Sequence, residues 1–312
     1  MEAKTRTKRF WLRIDGVLLL DKPCGMTSNS ALQAARRLFS AAKAGHTGTL
    51  DPMATGLLPL CFGEATKFSS DLLAADKTYE AEICFGVSTD TGDAEGEVLE
   101  RRTPEFDRQG LEAALEKFRG RIVQIPPMHS ALKRDGQPLY KLARQGVTVE
   151  REAREVDITE LALLEDSANR CRLRVTCSKG TYIRVLAEDI GRALGCGAHL
   201  AALRRVAVGK LSVARAVTLD ALGALPEDER KRHLLPPDTL LQTLPEIRLG
   251  EAQRERFIHG NPVAVDCVVQ GKCRVYAESG LLGVGLVDSS GMAHPQRLVA
   301  VSSNAVSPSR QE

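Results

Sequence analysis

The chain has 312 residues, 43% hydrophobic and 27% charged, with a formal net charge of +3. That length suffices for one large domain with a small one, or for two medium ones, and no apolar run reaches the ~18 residues of a membrane span. A total charge so near neutrality gives by itself no argument for a polyanionic partner. The opening "MEAKTRTKRFWLR" is basic but lacks the apolar core and small-residue cleavage site of a secretory signal. The eight cysteines are scattered, with no CxxC pair and no zinc-like Cys/His cluster, which predicts reduced thiols in a cytoplasmic protein.

"IDGVLLLDKP" predicts a buried strand ending in a turn, and "CGMTSNSALQAARRLF" a helix capped by Thr27 or Ser28, with Leu32, Ala35, Leu38 and Phe39 on its apolar face. Next comes "GHTGTLDPMATGLLP", where glycines and prolines surround Asp51; such residues hold tight irregular backbone, so the loop is expected to be rigid and Asp51 aimed. "TYEAEICFGV" alternates, setting Tyr79, Ala81, Ile83 and Phe85 on one face and Thr78, Glu80 and Glu82 on the other. "STDTGDAEGEV" is turn-rich, "LEAALEKFRG" helical, and "PPMHSALKRDGQPLYKLARQG" too polar for a core. "RCRLRVTC" predicts a second alternating strand, followed by a helix in "SKGTYIRVLAEDIGRAL".

Basic residues concentrate at Lys4, Arg6, Lys8, Arg9 and Arg13, and in "HLAALRRVAVGKLSVAR", which holds Arg204, Arg205, Lys210 and Arg215 without one acid. Such patches would suit a phosphate backbone, but charge alone favours a merely solvated face. From about Leu225 to Pro245 the text is proline-rich and charged and reads as a linker. Short strands beyond it predict a small β-rich module, and "SSNAVSPSRQE" a disordered tail. Strands and helices mix without regular βαβ alternation, so the expected class is α+β.

Several familiar sites are missing. No GxxxxGK[ST] phosphate loop occurs, and "GLLGVGLV" lacks the third glycine and following helix of a dinucleotide fingerprint. "DTGDAEG" has its acids at the wrong intervals for a calcium loop and Arg101 where the bidentate Glu belongs. What stands out is one carboxylate in a constrained loop, a tyrosine on an alternating strand and an arginine, Arg184, at a strand-to-helix turn. From spacing alone Asp51 serves either an Asx-type turn ahead of Pro52 or nucleophilic chemistry, Tyr79 either the core or a base, and Arg184 either a helix surface or an ion pair.

"GVLLLDKPCGMTSNSAL", "AGHTGTLDPMATGLLPLCFGEATK", "KTYEAEICFGVSTDTGDAEGE", "IPPMHSALKRDGQPLYKLARQG" and "CSKGTYIRVLAEDIGRALGCGAHLAALRR" together resemble the tRNA pseudouridine synthase B (TruB) family. The resemblance runs in order from about residue 14 to about 220, and more weakly to about 301. It implies a pseudouridine-synthase fold over residues 10–240, with a mixed, largely antiparallel central sheet flanked by helices and a thumb-like insertion at about 126–154. Residues 246–303 then resemble a PUA-like RNA-binding domain, with 304–312 as the tail. The implied reaction is isomerisation of uridine-55 in the T-loop of tRNA to pseudouridine, on a flipped-out base, by a cytoplasmic monomer needing no cofactor, metal or membrane.

By the same resemblance Asp51 is the nucleophile, Arg184 its ion-pair partner, and Tyr79 the residue that stacks on the base and takes the C5 proton. Attack at C1′, attack at C6 and initial loss of a sugar proton all stay open for Asp51. His46 matches the wedge that replaces the flipped base, and Tyr182 and Leu203, read as a buried aromatic and a helix leucine, match the base pocket. Lys22, Lys67 and Asp90 match positions near the substrate. Lys133, Lys141 and Arg144 in the insertion, with Arg204 and Arg205, are the expected contacts to RNA backbone. Two rivals remain: a relative acting on ribosomal RNA, and a tRNA-binding folding chaperone in which catalysis is incidental.

Overall fold

The run Val17–Leu20 lies in strand β1 (Gly16–Lys22), which is buried along its length except at Asp21. Its side chains divide by alternation: Leu18 and Leu20 enter one hydrophobic core, Val17 and Leu19 another. A strand covered on both faces reads as an unbroken apolar run for that reason. The computed structural model describes residues 11–134, 136–266 and 268–300. Lys4, Arg6, Lys8, Arg9, Cys267 and the tail expected at 304–312 lie outside the described residues.

Helix α1 (Ser28–Leu38) follows, with Thr27 as its N-cap: the Thr27 hydroxyl accepts from the Ser30 amide at 3.0 Å. Ala31, Leu32 and Ala35 seat it on the Leu18/Leu20 core. The main sheet then adds β2 (Ala44–His46), β3 (Thr55–Phe62), β4 (Lys77–Phe85), β5 (Gly120–Gln124), β6 (Arg154–Ser167), β7 (Arg170–Cys177), β8 (Ala198–Val208), β9 (Leu211–Ser212) and β10 (Leu234–Leu235). Their order is β10-β1-β3-β8-β4-β7-β6-β5, with β2 on β3 and β9 on β8. Only the β3–β8 pairing is parallel within this sheet, so the class is α+β with a mixed, largely antiparallel sheet.

The alternating strand β4 buries Ala81, Ile83 and Phe85, while Glu80 and Glu82 on its other face pair with Arg174 and Arg170 of β7. Helices α2 (Arg108–Glu116) and α4 (Ile183–Ala193) pack on the buried face, and a short α3 (Leu139–Ala143) lies between β5 and β6.

Where β3 and β8 meet, Gly56 has a φ of +99°, and a Cβ there would lie 2.3 Å from the carbonyl oxygen of Arg205. Backbone occupies that space, so neither strand has room to yield. Gly56→Ala is expected to destabilise the fold by about 3 kcal/mol or more. A thermal midpoint within about 1 °C of wild type would contradict the close approach.

Two expectations are corrected. The stretch from Leu225 to Pro245 is not a linker: β10 pairs with β1, and Leu240 and Leu241 are fully buried against Val17 and Leu19. Its prolines open short helical turns rather than free chain, at Pro226 and at Pro236–Pro237. Leu203 is not on a helix either; it belongs to β8, whose mixed apolar and basic text carries no clean period.

The C-terminal part is a five-stranded sheet of β11 (Glu246–Arg248), β12 (Val263–Ala264), β13 (Gly271–Ala277), β14 (Gly280–Val287) and β15 (Met292–Leu298), in the order β11-β13-β14-β15-β12. Val284 joins the Val17/Leu19 core, the Tyr276 hydroxyl donates to Asp238 at 2.6 Å, and Lys272 pairs with the buried Asp71. This β-rich part is thus bolted to the larger one through apolar and polar contacts alike. No helix among the described residues is long and apolar enough to cross a membrane.

Candidate active site

The loop carrying Asp51 is braced from beneath. Lys22 is fully buried, and its ammonium donates to the carbonyls of Pro23 (2.8 Å), Met26 (2.7 Å) and Pro52 (3.2 Å). The Ser28 hydroxyl donates to the Leu50 carbonyl at 3.0 Å and accepts from the Leu50 amide at 2.8 Å. The Gly25 amide adds a bond to Pro52 at 2.9 Å. Both residues flanking Asp51 are therefore tied to the end of β1 and the start of α1.

Arg184 lies in the first turn of α4 with a side chain only 7% exposed. Its Nε meets an Asp51 oxygen at 3.1 Å and its Nη1 an Asp93 oxygen at 3.5 Å. Nη1 also donates to the Thr91 carbonyl at 3.1 Å, and Nη2 to that of His129 at 2.7 Å. One fork thus joins two carboxylates, the turn at 91–93 and the base of the insertion, which a single-nitrogen ammonium cannot do. Burial pushes the Asp51 carboxyl above its ordinary value, against the pull of Arg184 and Lys22 and with a further push from Asp93. The Asp51 side chain remains 39% exposed, so a bound molecule can reach it.

Asp51, His46, Tyr79, Tyr182, Arg184 and Leu203 all line one cavity of about 700 Å³. Tyr79 packs between the two large cores, and burial raises its phenol while the neighbouring Arg205 cation pulls it down. Burial and Arg205 both lower His46, which favours the neutral ring, and its Nδ1 is buried without a hydrogen-bond partner. Tyr182 caps α4, with its amide donating to the Gln124 side chain at 3.0 Å and its carbonyl accepting from the same amide group at 3.3 Å. His129, Tyr140 and Arg144, from the segment between β5 and β6, also line the cavity.

Other expected residues stand elsewhere. Lys22 does not line the cavity, its donors being spent on carbonyls. Lys67 bonds Glu64 at 2.7 Å and the Leu298 carbonyl at 2.9 Å, so it anchors the C-terminal sheet. Asp90 is exposed and closes a turn by accepting from the Glu97 amide at 2.8 Å. Arg205 is 1% exposed and cannot meet an RNA backbone. Arg204 is half-exposed and gives both outer nitrogens to Asp21, at 3.0 and 2.7 Å. Lys133, Lys141 and Arg144 are exposed, and of these Arg144 lines the cavity, its guanidinium 5.6 Å from the Tyr140 ring centre.

Asp93 and Gln124 escaped the sequence reading. In "TDTGDAEG" three acids share one turn, and nothing in their spacing says that Asp93 turns inward to Arg184. Gln124 ends an edge strand and carries no signal at all. Among the described residues no group of three or more His, Cys, Asp or Glu is placed to hold a metal ion.

Comparison with known proteins follows the same lines. Residues 36–183 match the TruB family pseudouridylate synthase N-terminal domain, 184–242 the tRNA pseudouridylate synthase B C-terminal domain, and 245–299 the C-terminal domain of pseudouridine synthase II TruB. The tRNA pseudouridine synthase B of Dechloromonas aromatica (strain RCB) is 61% identical over 292 residues, covering 94% of this chain and 98% of that one. The protein of the same name from Burkholderia mallei (strain NCTC 10247) is 58% identical over 294 residues, covering 92% and 97%. In fold the chain is similar to a chain of an H/ACA RNP bound to a substrate RNA containing 2′-deoxyuridine, with a TM-score of 0.71, 23% identity, and coverage of 91% and 85%. It is also similar to a chain of the archaeal box H/ACA sRNP Nop10–Cbf5 complex, with a TM-score of 0.70, 24% identity and the same coverage. With the fold, the braced aspartate and these matches in agreement, the chain belongs to the TruB family of pseudouridine synthases.

Proposed function

We propose that this protein isomerises uridine-55 in the T-loop of tRNA to pseudouridine, acting as a cytoplasmic monomer with Asp51 as the nucleophile. The observation that carries the reading is the Asp51–Arg184 pair at 3.1 Å, half-open to a cavity of about 700 Å³. That volume suits one extruded nucleotide, and flipping a stacked base costs a few kcal/mol that contacts in the cavity must return. His46 fills the vacated stack, while Tyr79, Tyr182 and Leu203 hold the base. Lys133, Lys141 and Arg144 meet phosphates as the insertion covers the loop.

In the reaction the C1′–N1 bond breaks, the uracil turns within the cavity, and its C5 bonds to C1′. The C5 proton then leaves, its electron pair forms the C5–C6 double bond, and N1 takes up a proton. Asp51, ionised and oriented by Arg184, begins the cleavage, and the Tyr79 oxygen receives the C5 proton.

The raised Asp51 carboxyl gives a pH expectation. Activity requires the ionised form, so the acid limb of kcat/KM has its midpoint above 3.8, the ordinary value. A limb at or below that value would show that burial does not govern the group.

The deciding measurement is pseudouridine formation on a T-loop hairpin, beside fragments of ribosomal RNA and a hairpin with cytidine at the target. Conversion of the T-loop uridine alone supports the reading. Preferred turnover of ribosomal RNA would replace the substrate, and tight binding without turnover would favour the chaperone. Sedimentation of the free protein tests the monomer.

A further inference from the structure

The sequence marked Arg205 for RNA, and the fold buries it under the cavity. It is among the largest fully buried side chains. On β8 it stands directly across the antiparallel ladder from Tyr79 of β4 and, in the parallel register, from Gly56 of β3. Its Nε donates to the Leu57 carbonyl at 2.8 Å and its Nη2 to the Gly48 carbonyl at 3.1 Å. Those bonds go to carbonyls, and among the described residues no acidic side chain pairs with it.

A buried cation without a counter-ion is costly, and an apolar side chain would fill the same space more cheaply. Its surroundings indicate what the charge does. Cross-strand partners on one face hold their Cβ atoms about 5 Å apart, so Arg205 and Tyr79 are side-chain neighbours and the phenol feels the Arg205 cation. Through Gly48 it also grips the loop between His46 and Asp51. One rigid group thus links the strand bearing Tyr79 to the loop bearing the carboxylate.

We infer that Arg205 is a positioning residue for the proton-transfer step, fixing the Tyr79 phenol against the Asp51 loop and lending it positive charge so that its oxygen accepts the proton from C5. The inference rests on the proposed reaction. The C5–H bond breaks, its electrons form the C5–C6 double bond, the proton passes to the Tyr79 oxygen in its anionic form to give the neutral phenol, and N1 takes a proton from water. A cation beside that oxygen favours its anionic form, in opposition to burial.

The test compares wild type, Arg205→Met and Arg205→Lys in single turnovers on T-loop hairpins carrying hydrogen or deuterium at C5 of the target uridine. Release of the C5 hydrogen is expected to slow about 10²-fold in Arg205→Met and about 10-fold in Arg205→Lys. In both variants a primary isotope effect larger than that of wild type should appear, because proton removal becomes limiting. A purely structural role would lower the folded fraction without changing the isotope effect, and that result in a folded variant overturns the inference. Should Arg205→Met not fold, Arg205→Lys decides alone by the same criterion.

A second measurement needs no substrate. In protein with ¹³C-labelled tyrosine Cζ, the Tyr79 resonance, assigned with Tyr79→Phe, should move on loss of Arg205 and partly return in the lysine variant. No movement in any folded variant overturns the inference. If instead wild type makes no pseudouridine while the Tyr79 signal responds to Arg205, the proposed reaction falls and the coupling stands.

Discussion

Asp51→Asn is expected to make no detectable pseudouridine, at least ~10⁴-fold below wild type, while binding the T-loop hairpin within a few-fold. Asparagine keeps the shape and the contact with Arg184 but is neutral, and an amide oxygen neither captures a sugar carbon nor takes a proton as a carboxylate does. Binding survives because the remaining cavity wall and the exposed cations of the insertion are untouched. Stability provides an independent reading. A carboxyl raised above 3.8 by burial binds its proton more tightly in the folded protein than in the unfolded one. Ionising it therefore costs folding free energy as pH rises from 3.8 through the raised value, and the whole cost is present above that. The asparagine variant should consequently match or exceed the thermal midpoint of wild type at neutral pH, with the difference shrinking on acidification. Turnover retained by the variant would remove Asp51 from the chemistry, and a large loss of stability at pH 7 would show that its pairing with Arg184 outweighs burial.

Replacing Arg184 should be nearly as damaging, for a different reason. Its fork is shared among Asp51, Asp93 and the carbonyls of Thr91 and His129. Arg184→Gln leaves Asp93, whose side chain is 5% exposed, without that cation, and breaking such a buried pair typically costs about 3–5 kcal/mol. Arg184→Lys restores the charge but offers one nitrogen where three atoms now reach three directions. The lysine variant is expected to fold and bind RNA, with the single-turnover rate reduced by about 10²–10³-fold, the scale of losing an oriented electrostatic partner. The glutamine variant should in addition show a clearly lower thermal midpoint. A lysine variant with wild-type turnover would mean that charge alone, not the fork, keeps Asp51 aimed.

The elements with strict periods were legible from the text. β1 could be read because a strand covered on both faces needs an unbroken apolar run, β4 because one face is buried and the other wears ion pairs, and α1 because a threonine cap precedes a helical stripe. The constrained backbone around Asp51 was legible as well, since glycine and proline act within a few residues of themselves. The resemblance to the family added the roles of Tyr79 and Arg184, which local pattern alone left open.

Burial was what local text could not supply. Arg204 and Arg205 are adjacent and alike, yet one meets Asp21 at the surface and the other lies 1% exposed beneath the cavity, because neighbours on a strand face opposite sides and only the sheet order decides which side is covered. Asp90 and Asp93 share a turn, but contact with Arg184, ninety-odd positions along the chain, selects the second. The stretch from Leu225 to Pro245 has a linker's composition and nevertheless folds onto β1, since a few buried leucines outweigh its charges once a surface exists to receive them. Composition and period act over a handful of residues; the fate of a charge depends on what the rest of the chain stacks above it.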